Sequence, residues 1–433
     1  MSMHITRRQA LKTAALSALS TWLPGTLRGA EGVLTRIRTD RTLVLLELEG
    51  GNDGINTLVP YLDATYQLKR SATKLQVDST DWRKQVIPLS TFSGTATLVG
   101  DQTGLGIHAA LDPLRDAWQA GDLAVVQGVG YDQPNLSHFR GGDIWHSGAD
   151  DSQPPVQDGW LGRAMALQTV DPSQATTAAM LFRRDGGNPA KSAAISTISM
   201  YTPSEFLERS TASQMPLPSD ALFAAAAGKP AVLHLLNTQK AVNEAHDAVN
   251  DALGTPPTFT TTFPTTDLGY QVQYVAQAIA GGLPCPFYKI SIAGFDTHAN
   301  QVNTHAQLLA QVGNALKALR AALIEKGLWD QVLIMTYSEF GRRIEENSSA
   351  GTDHGTAAPH LLLGGKVLGG LYGTQPALDD PDVRGNLIAT TDFRRLYATC
   401  GTWLGVSSSN LATALDPADT GRTYEAIDCL DLA

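Results

Sequence analysis

The sequence predicts an α/β protein, a three-layer sandwich whose central sheet is mainly parallel with helices on both faces. Three observations carry this. The apolar runs TLVLLEL (42–48), LAVVQGVG (123–130), FYKISIA (287–293) and QVLIMTYS (331–338) read as strands buried on both sides. Between such runs lie helical patterns, most plainly over 303–327, where Leu308, Leu309, Val312, Leu316, Leu319 and Leu323 recur at three- and four-residue steps. Polar or glycine-rich turns then separate strand from helix, the punctuation of strand–helix alternation.

In chain order, GGNDG breaks the first strand and ALDPLRDAWQAG (110–121) reads as a helix ending at Gly121. The polar turn 132–145 follows the second strand. WLGRAMALQ (160–168) is a short helix, and AAMLF (178–182) and AAISTISM (193–200) are candidate strands. The segment 229–254 has a long helical pattern, and TPPTFTTTFPTTD (255–267) is a Thr/Pro-rich connector expected at the surface. Residues from about 200 to 265 are expected to form an insertion or cap on one domain spanning 31–433. LGYQVQYVAQAIAGG (268–282) is a helix, HLLLGG (360–365) a further strand, and 390–405 ends in a helix.

With 433 residues the chain can bury a large core, and 43% hydrophobic against 17% charged residues makes it globular rather than disordered. A net charge of −10 argues against a nucleic-acid partner bound through a basic surface. The N-terminus reads as a targeting segment. Arg7 and Arg8 in TRRQALK precede a moderately apolar run too short to span a bilayer, the pattern of a twin-arginine signal over residues 1–30. The expected partner is the twin-arginine export machinery and the expected location periplasmic or extracellular, with no transmembrane segment in the mature protein. Cys285, Cys400 and Cys429 lack paired spacing and read as buried small hydrophobes, with a Cys400–Cys429 disulfide as the alternative in an oxidising compartment.

In open α/β sheets, ligands sit beyond the carboxyl ends of strands. Four strands here run into polar clusters: Asp53; Ser137, His138 and Arg140; Asp296 and His298; and Ser338, Glu339, Arg342 and Arg343, with Asp353 and His354 in the loop beyond. Asp53, Asp296, His298, Glu339, Asp353 and His354 form a mixed carboxylate–imidazole set suited to one or two divalent ions, zinc or manganese first. Each has a plainer reading. Asp53 suits a turn, Asp296 a helix cap, and Glu339 a surface pair with Arg342 or Arg343. Asp353-His354 suits a flexible loop tip. Ser137 is the nucleophile candidate or a helix N-cap, and Arg140 a bidentate holder of ester oxygens. His305 reads as a ligand or a surface residue, His360 as structural, and His108 stays open.

In order along the chain, the leader, GGNDGINTLVPY, SHFRGGDIW, GFDTHANQ, YSEFGRR and GTDHG resemble an exported bacterial family, domain of unknown function 1501. That family is placed in the alkaline phosphatase and sulfatase superfamily. The resemblance implies an alkaline phosphatase-like sandwich with metals at the strand ends, Asp53 as first ligand, Ser137 as nucleophile, and Asp296, His298, Glu339, Asp353 and His354 completing the set. This chain departs from the pattern. Asp296 and His298 are closer than in phosphatases, Glu339 replaces an aspartate without an adjacent histidine, and no C-x-P-x-R or S-x-P-x-R formylglycine signature occurs. The expectation is an exported metal-dependent hydrolase of a phosphate or sulfate ester, small-molecule or glycan, with a serine or a metal-bound water attacking. One rival is a non-catalytic binding protein on the same fold. The other is a carbohydrate hydrolase using Glu339 with Asp353.

Overall fold

Strand β1 (Thr42–Glu49) is the centre of the molecule, and its side chains divide by the two-residue strand period. Val44, Leu46 and Leu48 enter one apolar cluster, Leu43 and Leu45 the other. A strand buried on both faces needs strands beside it and helices above and below. The computed structural model supplies them for residues 40–432, apart from 72–73, 78–79, 93–98, 151–154, 169–178, 183–186, 193–194, 196 and 214–217. The expected leader at 1–30 lies outside the described residues.

The other strands of the main sheet are β2 (Leu123–Gly130), β3 (Ala179–Phe182), β4 (Thr197–Met200), β5 (Phe287–Ala293), β6 (Val332–Tyr337), β7 (Ala358–Gly364), β8 (Gly370–Tyr372) and β9 (Thr391–Asp392). Their order is β8-β2-β7-β6-β1-β5-β3-β4, with β9 also beside β2. Every pairing is parallel except those of β7, which runs antiparallel to both β2 and β6. The sheet is thus mixed but mainly parallel. Helices α1 (His138–Ser147), α2 (Trp160–Ala166) and α6 (Phe393–Trp403) cover one face. Helices α3 (Pro230–Leu253), α4 (Asp267–Ala280) and α5 (Gln301–Glu325) cover the other.

Two expectations change in detail. The helix read over 110–121 begins as a 3-10 turn, Ala109–Leu114, because Pro113 lacks the amide that an α-helix needs there; α-helix follows over Arg115–Ala120 and ends at Gly121 with φ +82°. Asp296 does not cap α5. The N-cap is Asn300, in the left-handed region at φ +48°, and no side chain caps the helix. Over 200–265, the last turns of α3 place Val249, Ala252 and Leu253 in the core, and Glu325 of α5 accepts hydrogen bonds from Thr260 and Thr261 of the connector. Cys285, Cys400 and Cys429 are buried free thiols.

Candidate metal centre

The parallel strands β1, β5 and β6 release their chains at one edge. The loops there are held by Arg342, which is fully buried. Its guanidinium donates to the carbonyl of Gly51 (2.7 Å), Thr352 (2.9 Å) and Phe295 (3.0 Å), to that of Gly50, and to Asp296 Oδ1 (2.7 Å). One side chain therefore ties the turn after β1, the turn after β5 and the hairpin arm Thr352–His354. Gly50, at φ +118°, permits this: a Cβ there would stand 2.3 Å from the Asp296 amide nitrogen.

Asp296 is the hub. His298 Nε2 and His354 Nε2 each lie 3.1 Å from its Oδ1, and His138 Nε2 lies 3.4 Å from its Oδ2. His298 Nε2 and His354 Nε2 are 2.9 Å apart. One ligand atom from each of His138, Asp296 and His354 falls within 4.8 Å of the others. Ligands about 2.05 Å from a tetrahedral zinc lie about 3.3 Å from each other, so the spacing fits one such ion.

Two of the rings are oriented from behind. His138 Nδ1 is 2.8 Å from Glu339 Oε1, and His354 Nδ1 is 2.8 Å from the Leu136 carbonyl. Donation to those acceptors puts the lone pair of each ring on Nε2, toward the cluster, as metal-binding histidines require. Burial alone would raise the Asp296 pKa, but the hydrogen bond and charge of Arg342 outweigh it and bring the pKa down to about 2. The bond to Glu339 raises the His138 pKa against the opposing effect of burial. Burial lowers that of His354, helped by the nearby charge of Arg342.

The six residues read from the sequence as ligands separate here. Asp296, His298 and His354 meet. Glu339 is buried and holds His138 from behind, while also accepting from the Gly50 amide (2.8 Å). Asp353 stands at the rim, 3.6 Å from His298 Nδ1. Asp53 is placed elsewhere: both of its oxygens accept from Arg70 (2.6 and 3.1 Å), Gln301 donates to it as well, and neither Asp53 nor Arg70 is exposed. Its carboxylate is committed inside the fold and is not offered to an ion. His305 is buried too, 2.9 Å from Asn52 Oδ1, and burial takes its pKa down to about 3. Arg140 points away, donating to the Asp150 carbonyl at 3.2 Å. Ser137 is the exposed N-cap of α1, and its hydroxyl makes no capping bond. Glu339 and Asp353 are not carboxylates facing each other across a cavity, as the carbohydrate-hydrolase reading needs: Glu339 lines the cavity described next and Asp353 does not.

His138 is the member of the cluster that sequence reasoning did not name as a candidate ligand. A signal was present: Gly141 and Gly142 are poor helix formers inside α1. Gly141 is where the helix passes close to the Glu339 carbonyl and the Phe340 ring. Beside the cluster opens a cavity of about 570 Å³, lined by His138, Asp296 and Glu339 together with Glu47, His146 and Gly187.

A family model described as protein of unknown function (DUF1501) matches residues 146–424, more than half of the chain. The chain belongs to that family. No curated protein matches the sequence. Among solved structures, the DUF1501 chain is similar to a protein in the alkaline phosphatase superfamily from Vibrio parahaemolyticus (10% identity, 94% of this chain and 76% of that one, TM-score 0.35). It is also similar to the PsFucS1 sulfatase from Pseudoalteromonas sp. (13%, 98% and 75%, TM-score 0.32). A third is Ps i-CgsB in complex with k-i-k-neocarrahexaose (10%, 86% and 74%, TM-score 0.37). At that level of likeness no activity passes to this DUF1501 member. No helix among its described residues is long and apolar enough to cross a membrane.

Proposed function

We propose that this protein is an exported, divalent-metal-dependent hydrolase of a phosphate or sulfate ester, carried by the twin-arginine route to the periplasm or beyond. One observation supports it above the rest: three imidazole Nε2 atoms gather on one carboxylate, and two of those rings are held from behind in the ligating tautomer. His138, Asp296, His298 and His354 would hold one ion, and three nitrogens with one oxygen favour zinc. The ion would supply Lewis-acid polarisation of the ester. The rest belongs to the chain. Glu339 keeps His138 in register, and Asp353 steadies His298. Ser137, at the start of α1 beside His138, or a water would attack, and the first-turn amides of α1 favour negative charge developing there. The ester is that of a small molecule or a glycan.

The test is elemental analysis of the mature protein purified without chelator, followed by a screen of aryl phosphates and sulfates. About one equivalent of zinc or manganese, lost together with turnover in Asp296→Ala, supports the reading. Full turnover without metal contradicts it. A second reading has its own observation. Arg342, 2.7 Å from Asp296, already supplies a positive charge, as in a non-catalytic binding protein that needs no ion. A folded wild type that stays metal-free after reloading would select it.

A further inference from the structure

The inner wall of the cavity carries a second polar group that the metal centre does not use. Along β1 the positions that face α1 run Leu43, Leu45, Glu47, so a carboxylate stands where the pattern calls for a core residue. The sheet register sets Glu47 beside Tyr337 of β6. Lys289 Nζ reaches Glu47 Oε2 at 2.5 Å and the Gly187 carbonyl at 2.7 Å. His146, from the last turn of α1, brings its Nε2 to 3.0 Å from Glu47 Oε1 and 3.1 Å from the Tyr337 hydroxyl. Burying such an ion pair adds little stability over apolar packing of equal size, and charged groups placed in a cleft mark functional sites. Both contacts fall on Nε2. Gly187 packs against the Nδ1 side of the ring, so closely that a Cβ there would stand 1.7 Å from Nδ1. A side chain at 187 would displace the ring, and His146 and Gly187 line the same cavity as Asp296 and His138.

We propose that His146 is the proton-transfer residue of this cavity, with Nδ1 serving the ligand while Glu47 and Tyr337 hold Nε2. The reaction assigned to it rests on the ester-hydrolase reading; its place in the cavity does not. In the neutral ring Nε2–H donates to Glu47 and the lone pair is on Nδ1. As a water molecule attacks, one of its O–H bonds breaks, its oxygen forms the new bond to phosphorus or sulfur with its own electron pair, and the proton passes to Nδ1. The ester bond then breaks, its electron pair stays on the leaving oxygen, and that oxygen takes the proton back from Nδ1. Burial raises the Glu47 pKa, but Lys289 and His146 beside it outweigh this and keep it ionised, so it can balance the imidazolium. Lys289 also donates to the Gly187 carbonyl, which holds that residue in place.

Zinc-loaded His146→Gln should lose about 100-fold or more in kcat toward 4-nitrophenyl phosphate or sulfate, with KM and zinc content unchanged. In His146→Ala, added imidazole should restore at least a tenth of the loss. An unchanged kcat, or a loss that imidazole does not rescue and that comes with lower zinc content, overturns the proposal. Carbethoxylation by diethyl pyrocarbonate, located by peptide mass, reads the placement without turnover. In the zinc-loaded wild type His146 should react along with exposed His234, inorganic phosphate should slow His146 alone, and buried His360 should not react. His146 left intact while His234 reacts overturns the proposal. A wild type inert toward both esters, yet with His146 modified and shielded by phosphate, retires the ester reading and supports the placement.

Discussion

Asp53 and Asp296 invite direct comparison. Each follows a central strand in a glycine-bearing turn, GGNDG after β1 and GFDTH after β5, and each meets an arginine. Their surroundings then part. Asp53 and Arg70 are both wholly buried, and Arg70 also donates to the Ile344 and Arg343 carbonyls, so every group in that pair is used. Asp296 is 45% exposed, and three histidine nitrogens approach it from the open side. The first aspartate braces the turn; the second is left with capacity that its own fold does not consume. A carboxylate at a strand end is thus a candidate ligand only once its internal partners are known.

Mutation should separate the two most strongly in stability. Asp53→Ala strands a buried guanidinium and should cost about 3–5 kcal/mol in urea unfolding, whereas Asp296→Ala, at a half-exposed site, should cost under about 1 kcal/mol. Equal costs would erase the contrast. Next in size is metal affinity. His354→Ala removes a ligand and should weaken zinc binding by about 100-fold or more in chelator competition, while Asp53→Asn, if folded, should leave it unchanged. Smaller again is Glu339→Gln, which keeps a hydrogen-bond acceptor for His138 but removes its charge, and should lower zinc affinity about 10- to 100-fold.

The smallest effect is in acid. Both carboxylates have folded pKa values below their unfolded ones, that of Asp296 about 2. Each therefore contributes stability above its unfolded pKa, near 4, and loses it as pH falls toward the folded value. Stability of the metal-free protein should drop between about pH 4 and 2. Asp296→Asn should flatten that slope by less than about 1 kcal/mol, since the group is half exposed. An unaltered slope would mean that Arg342 does not hold Asp296 in solution.

The comparison also shows what the sequence can express. The strands 42–48, 123–130, 287–293 and 331–338 were legible because burial on both faces leaves unbroken apolar runs. Helix α5 was legible from its leucine spacing. The turn carrying Asp296 and His298 was legible because polar residues follow directly on a buried strand. Arg70 was not, since nothing local links it to Asp53, 17 residues earlier. His138 and Leu136 were not, since their roles arise when the start of α1 meets residues more than 200 positions away. Glu339 was read as a ligand because chemistry alone does not separate a carboxylate that binds an ion from one that orients the histidine that does. The antiparallel course of β7 likewise leaves no mark in HLLLGG, because both pairing senses bury the same side chains.

The most direct test of the central claim is X-ray absorption at the zinc edge on the zinc-loaded wild-type protein. The account predicts one tightly held zinc with about three imidazole nitrogens and one carboxylate oxygen near 2.0–2.1 Å, and the loss of one imidazole in His354→Ala. A zinc surrounded by water oxygens alone, or a spectrum identical in the variant, would contradict it.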